Sequence, residues 1–320
     1  MPSFSINVPD DFSGAVRLDK YMASLPEGMN RSKLKSGIEN LTVNGKKAKM
    51  STKVSSGDKI EFDWEDSVPD DIVPEDIPLD VVYEDKNVTV VNKKQGMVTH
   101  PACGNWNGTL VNALLFRWGR SKIGIGEDSS NIRPGIVHRL DKDTSGLMIT
   151  ARNRDSEEWL HNQFLNHRLV QKEYIAICVG RPKDLSGRIE TNIARDLRDR
   201  KKFCATPVGS EGKFSCSIYQ CVGIYEAGNE TYSLMRVRIK TGRTHQIRVH
   251  MKHIGCPILG DPIYGKNPSG VFKTATLMLH SYVLKIRLPF CDSPSSFKAP
   301  VPIRFRKVMF VLHKKFRRVR

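Results

Sequence analysis

No stretch of this 320-residue sequence approaches the eighteen consecutive apolar residues of a membrane-spanning helix. The opening residues, MPSFSINVPDDFSG, lack the basic-then-apolar order of a secretory signal. The seven cysteines (Cys103, Cys178, Cys204, Cys216, Cys221, Cys256 and Cys291) include no CxxC pair. That argues against a disulfide framework or a zinc site and for a reducing compartment, the cytoplasm. A phosphate-cradling Gly-x-x-x-x-Gly-Lys-Ser/Thr loop is missing, as is any internal repeat. Charge of one sign is absent from two segments. Residues 63–85 hold ten acids and no Lys or Arg, and the last twenty residues hold eight Lys or Arg and no acid. The whole chain carries +17, so setting the ten acids aside leaves +27 on the remainder. Solvated surfaces ordinarily mix both signs, so segregation on this scale points to a polyanionic partner, nucleic acid above all.

Pro69, Pro74 and Pro78 fall among the acids of residues 67–78 and disfavour helix and central strand alike. That segment reads as a linker between a small module, 15–66, and a larger domain, 79–310, with a basic tail at 311–320. In the module, Val16, Leu18, Tyr21, Met22 and Leu25 share a helical face. A second helix is expected over 30–41, capped at Asn30 or Ser32 and carrying Leu34, Ile38 and Leu41. Asn44-Gly45 signals a hairpin, and a strand alternates through Ile60, Phe62 and Trp64. The larger domain holds short apolar runs at 87–93, 172–180, 233–240 and 280–290, with helical candidates at 108–119 and 156–167 and a Gly- and Ser-rich loop at 121–135. Strand follows strand without regular βαβ alternation. The expected fold is α+β, a mixed and mostly antiparallel sheet domain with a small α+β module before it.

The ordered segments RLDKYMA, RSKLKSGI, VNGK and VSSGDKI (residues 15–64) resemble the small RNA-binding module named after a ribosomal small-subunit protein. The resemblance implies that Arg31, Lys33 and Lys35 contact RNA phosphates.

Residues 135–153, GIVHRLDKDTSGLMITARN, place a dense polar insert between two short apolar runs read as buried strand ends. Asp141 lies in that insert, and Thr144-Ser145-Gly146 permits a tight, hydrogen-bonded re-entry into the second run. An isolated turn Asp ordinarily caps backbone amides. Here a short loop anchored at both ends would hold a carboxylate in place for chemistry. Burial alone would neutralise it, so a fixed cation is required, and Arg suits best because its planar fork stays charged.

HRLDKDTSG (138–146) is similar at every fixed position to the signature of the RluA-type pseudouridine synthases. Three further blocks resemble that family in order: VVNKKQGMVTHP (90–101), RLVQKEYIAICVG (168–180) and IKTGRTHQIRVHMKHIGCPILGDPIYG (239–265). One departure is Lys93-Lys94, where the first block commonly reads Lys-Pro. The resemblance implies an enzyme that detaches uracil from its ribose in RNA, turns it, and rejoins it through a ring carbon, with no cofactor and no metal. It makes Asp141 the essential carboxylate, through attack on the sugar, attack on the base, or removal of a sugar proton. Arg248 becomes its counter-ion, with Arg243 the second choice, and Tyr174 the active-site tyrosine. Arg139 would fill the space left by a flipped base. His138 would support the loop by hydrogen bonding, Leu140 and Ile247 would pack around the carboxylate, and Thr144 would shape the turn. Arg195 and Arg198, in the basic stretch 194–203, would track phosphates with Arg243. His245, His250 and His253 read as structural hydrogen-bonding groups, since no Cys or carboxylate stands at ligand spacing.

The substrate expected by analogy is large-subunit ribosomal RNA, with transfer RNA the alternative, and the enzyme is expected to be monomeric. A catalytically silent RNA-binding or ribosome-assembly factor is a competing reading, opposed by the joint presence of Asp141, Tyr174 and Arg248. A carboxylate-dependent nuclease is weaker, because no acidic metal cluster accompanies Asp141.

Overall fold

The computed structural model describes residues 3–25, 38–64, 72–101, 104–119, 135–166, 170–199, 202–265 and 270–320. The chain divides into two compact units, Met1–Ile72 with Ala102–Trp106, and Val73–Pro101 with Asn107–Arg320.

The first unit contains β1 (Ser3–Asn7), β2 (Val16–Arg17), α1 (Leu18–Ser24), β3 (Ile38–Val43), β4 (Lys46–Lys47), β5 (Lys53–Val54) and β6 (Lys59–Trp64). Leu18, Tyr21 and Met22 of α1 pack with Val8, Leu41, Val54, Ile60 and Phe62. The helix starts later than its apolar spacing predicts because Val16-Arg17 pairs with Lys53-Val54. Asn44 and Gly45 both take positive φ, 52° and 71°, as a two-residue hairpin turn demands.

The helix expected over 30–41 needs correction at its end, since residues 38–43 are a strand on β6. Asn40 sits at φ 48° within a register shift between Glu39 and Thr42. That bulge turns Ile38 and Leu41, three apart, toward the same core and so imitates helical spacing. Residues 30–37, with Arg31, Lys33 and Lys35, lie outside the described residues.

The second unit contains β7 (Val81–Glu84), β8 (Val88–Lys93), α2 (Leu110–Arg117), β9 (Ser145–Ala151), α3 (Arg154–Leu165), β10 (Gln171–Val179), β11 (Ser186–Arg195), β12 (Phe203–Thr206), β13 (Lys213–Ala227), β14 (Glu230–Ile239), α4 (Gln246–His253), β15 (Leu279–Arg287), β16 (Pro294–Lys298), α5 (Ile303–Lys315) and β17 (Arg317–Arg318). Its sheet runs β12-β11-β13-β14-β10-β15-β9-β8-β7, with β16 on β15 and β17 on β13. Among the described residues the pairing of β9 with β15 is parallel and the others are antiparallel. The fold is therefore α+β with a mixed, mostly antiparallel sheet.

Every residue of β9 is buried. Leu147 and Ile149 join Val88, Val90 and Leu160 on one face, while Met148 joins Val91, Leu140 and Leu114 on the other. A strand covered on both faces reads as a continuous apolar run, as GLMI does. The preceding run differs from the strand expected of it. Gly135–Val137 makes a single bridge, Ile136 to Thr150, because Gly135 turns away at φ 65°.

Two segment expectations are revised. Residues 73–78 of the proposed linker are tied to α2: Asn112 Nδ2 donates to the Val73 carbonyl at 2.7 Å, and the Glu75 amide donates to the Asn112 carbonyl at 3.0 Å. The basic segment 311–320 is no free tail. Phe305, Val308, Leu312 and Phe316 are buried at helical spacing among the cations, and Arg317 and Arg318 pair with Glu226 and Tyr225. No helix among the described residues is long and apolar enough to cross a membrane.

Gly146 opens β9 at φ 114°, and a Cβ there would overlap the backbone of Ser281 on the parallel neighbour. Gly146→Ala is expected to lower stability by at least about 2 kcal/mol, read from urea unfolding. A variant as stable as the parent would contradict so close an approach of the two strands.

Candidate active site

The loop before β9 owes its shape to its own carbonyls. Leu140 O accepts from Thr99 Oγ1 at 3.0 Å, and Asp141 O accepts from the Thr144 amide at 3.1 Å. Lys142 O accepts from the Gly96 amide at 2.8 Å and from Lys93 Nζ at 3.2 Å. Asp143 O accepts from Gln95 Nε2 at 2.9 Å. Residues 93–99 thus hold three carbonyls of the loop, those of Leu140, Lys142 and Asp143, and the loop's own Thr144 amide holds the fourth. Lys93, which sequence reasoning quoted only as a departure from Lys-Pro, is 1 % exposed and also donates to the carbonyls of Met97 at 2.7 Å and Lys94 at 3.1 Å. Burial pushes its pKa down to about 8, against the attraction of Asp141 and Asp143.

Asp141 is thereby aimed at Arg248, whose Nη1 lies 3.3 Å from Asp141 Oδ2. Arg248 sits on α4 and is itself held: Nε and Nη2 donate to the two oxygens of Asp261 at 2.8 and 2.7 Å. Asp261 Oδ1 also accepts from the amides of Ile263 at 2.9 Å and Tyr264 at 3.1 Å. Burial would raise the Asp261 pKa, yet the guanidinium and the two amides outweigh it and hold the carboxyl below the usual range. Burial opposes the charge on Arg248 too, and the two carboxylates more than restore it.

The start of α4 is pinned by Gln246. Its Oε1 accepts from Thr241 Oγ1 at 2.7 Å and from the Arg243 amide at 3.0 Å, and its Nε2 donates to Cys216 O at 3.0 Å. His245, the residue before the helix, takes φ 55°. That turn brings Nε2 to 3.9 Å from Asp141 Oδ2 and Nδ1 to 2.8 Å from the Tyr264 hydroxyl. The hydroxyl already accepts the Phe203 amide at 2.9 Å. Donating its own hydrogen to Nδ1 leaves the imidazole proton on Nε2, facing the carboxylate. Burial lowers the His245 pKa, which favours this neutral form despite the attraction of Asp141.

These groups open on a cleft of about 280 Å³ whose wall includes Leu140, Tyr174, Ile247, Phe164 and Lys172. Tyr174, on β10, is buried. Desolvation raises its pKa, Asp141 adds to the rise, and a hydrogen bond with Ser281 offsets part of it, so the phenol stays neutral. Leu140 and Ile247 are buried beside the carboxylate, and Thr144 is buried in the turn. Arg139 is exposed at the cleft and Arg243 lines it, its Nε donating to Phe214 O at 2.9 Å.

Arg195, the last residue of β11, and Arg198, just beyond it, are exposed and do not line the cleft. Arg195 instead lies over the Phe203 ring, 5.5 Å from its centroid. His250 is buried, with ring nitrogens bonded to Ser215 at 2.9 Å and Ser217 at 2.8 Å. No group of three His, Cys, Asp or Glu among the described residues is placed to hold a metal ion. The structure adds Lys93, Lys172, Asp261 and Tyr264 to the residues singled out from sequence, and it turns His245, read there as a structural hydrogen-bonding group, toward Asp141. All lie inside the four quoted blocks.

His138 accepts the Ile149 amide at Nε2, 3.0 Å away, and stacks on Phe164 with centroids 4.5 Å apart. Desolvation pushes its pKa down to about 3, whereas an unfolded imidazole protonates near 6.5. The unfolded chain therefore binds the proton first. The stability tied to this site is complete above pH 6.5 and drains away as pH falls toward 3. His138→Gln, which keeps an acceptor for the amide, is expected to reduce the acid slope of stability between pH 6 and 4 by about 1.4 kcal/mol per pH unit, measured by urea unfolding. An unchanged slope would show that the imidazole is not held neutral.

Comparison with known proteins gives the family. The family model described as RNA pseudouridylate synthase matches residues 87–253. A protein of Borreliella burgdorferi named ribosomal large subunit pseudouridine synthase D is 45% identical over 297 residues, covering 91% of this chain and 88% of that protein. An uncharacterized RNA pseudouridine synthase of Chlorobaculum parvum is 43% identical over 304 residues, covering 90% and 91%. The solved structure of human RNA pseudouridylate synthase domain containing 4 is similar in fold, with a TM-score of 0.56 at 22% identity over 73% of this chain and 92% of that one. A signature intact from His138 to Gly146, a carboxylate facing a held guanidinium, and matched relatives spanning nine-tenths of the chain lead to one conclusion: this protein belongs to the RluA-type family of RNA pseudouridine synthases.

Proposed function

We propose that this RNA pseudouridine synthase converts specific uridines of large-subunit ribosomal RNA to pseudouridine in the cytoplasm. The observation that carries the chemistry is the 3.3 Å approach of Arg248 to Asp141 at a cleft wide enough for a nucleotide base. The ribosomal substrate is supported by relatives named for the ribosomal large subunit, including one from Zymomonas mobilis at 38% identity over 83% of this chain.

The reaction conserves composition. The bond from C1′ to N1 breaks and leaves its electron pair on the base. The base turns, C5 bonds to C1′, the C5 proton departs, and N1 gains a proton. Asp141 meets the nucleotide as the anion, and Arg248 stabilises that charge without giving up a proton. Tyr174 offers its ring to the base and a neutral hydroxyl near the ring carbon. Arg139 takes the place of the extruded base in the helix. Arg31, Lys33, Lys35, Arg195, Arg198 and Arg243 contact phosphates.

Wild type incubated with ribosomal RNA is expected to leave pseudouridine at defined positions in carbodiimide mapping, and Asp141→Ala to leave none. Modification of transfer RNA alone would overturn the substrate, and wild type that modifies neither RNA would overturn the reaction. RNA affinity should fall by about three orders of magnitude between roughly 50 and 200 mM salt. Replacing Arg31, Lys33 and Lys35 together by Gln should reduce the log–log slope by about 3. A slope that stays the same would remove those three side chains from the phosphate contacts.

A further inference from the structure

Lys172 has no part in the assignments above. It lies on β10 two residues before Tyr174, so both side chains leave the same face of the strand, and both line the cleft. Its ammonium is 5.1 Å from the centroid of the Phe164 ring and 3.7 Å from where a Cβ on Gly242 would stand. Across the sheet it is in register with Ile239 and Leu284. Among the described residues no carboxylate forms an ion pair with it. The neighbouring Glu173 is engaged by Arg236 at 2.7 Å. Asp141, the carboxylate in the cleft lining, is paired with Arg248. Desolvation lowers the Lys172 pKa to about 8 with nothing opposing it, so near pH 7 the cation is mostly retained.

A half-buried cation that has lost part of its hydration and has no counter-ion is unfavourable. The unfavourable term is relieved when a ligand brings negative charge to it. Phosphates are one source, but the exposed Arg139 suits them better than a lysine desolvated beside Phe164 and His138. The other source is the base. While uracil is detached from its sugar, the electron pair of the broken bond spreads over the ring to O2 and O4.

We propose that Lys172 Nζ receives a carbonyl oxygen of the flipped uracil and holds the negative charge that the ring carries between bond cleavage and bond formation. This rests on uridine isomerisation taking place in this cleft. The ammonium keeps its proton throughout. The ring loses its charge when C5 bonds to C1′, the C5 proton leaves and N1 is protonated. A fixed donor aimed at developing charge typically accelerates a reaction about 100-fold or more.

The test compares wild type, Lys172→Met and Lys172→Arg in single turnovers at saturating RNA, on the uridine found by mapping, alongside RNA affinity and thermal melting. Lys172→Met is expected to slow conversion about 100-fold with affinity and melting unchanged, and Lys172→Arg to recover part of the rate. RNAs with 2-thiouridine or 4-thiouridine at the target replace one carbonyl acceptor by a weaker one. One of them should slow wild type and leave Lys172→Met as it is on uridine. The proposal is overturned by Lys172→Met at the wild-type rate. It is equally overturned by weaker RNA binding with an unchanged saturated rate, which is the signature of a phosphate contact. Thio substitution that slows neither wild-type reaction overturns it even if Lys172→Met does not fold. Wild type that forms no pseudouridine fails before any variant is compared, and it is the reaction assignment that falls.

Discussion

Arg248 carries one positive charge and faces two carboxylates. Asp261 takes two of its nitrogens in a bidentate pair, and Asp141 takes the third at a longer 3.3 Å. The inequality matters. The short pair, backed by two amides on Asp261, fixes the plane of the guanidinium before any RNA arrives. The long contact leaves the Asp141 carboxylate able to exchange that partner for substrate. A buried pair alone would be weak evidence for stability, since desolvation of both ions offsets their attraction. Its value here is orientation: the charge that Asp141 meets cannot swing away.

Two separate backbone devices bring the pair together. On the Asp141 side, residues 93–99 hold the carbonyls of Leu140, Lys142 and Asp143, with Lys93 among the donors. On the Arg248 side, Gln246 pins the first turn of α4 and the positive φ of His245 sets its direction. β9 and β15, the parallel pair, run side by side behind the loop. Each device spends backbone hydrogen bonds that would otherwise go to water, which keeps the loop from sampling other shapes. The departure Lys93-Lys94 is tolerated for the same reason: the turn is held by Lys93 Nζ and by the Gly96 amide rather than by a proline ring.

Much of the strand pattern was legible because its causes are local. Alternation at 233–240 and the Asn44-Gly45 turn depend on side chains a few residues apart. Legibility failed where one local signal had two physical origins. Ile38 and Leu41 stand three apart because of a bulge at Asn40, not because of a helix. The last residues look like a basic tail until Val308, Leu312 and Phe316 are seen to fill one side of a packed helix. Asp141, Tyr174 and Arg248 could be named through a matched signature. Asp261 and Lys172 could not, and His245 read only as a structural hydrogen-bonding group, because nothing in their own neighbourhoods says what they face.

By itself the sequence determined the elements around Asp141, through turn chemistry and apolar periodicity that act over short separations, and the matched signature singled out that carboxylate. Tertiary structure decided the rest. Asp141 and Arg248 are 107 residues apart, and the strand order β14-β10-β15-β9 brings them within reach. Which cation is shared, which histidine turns toward the carboxylate and which lysine enters the cleft follow from that closure. Electrostatics and burial are properties of distance in space, and a linear chain does not contain those distances until it has folded.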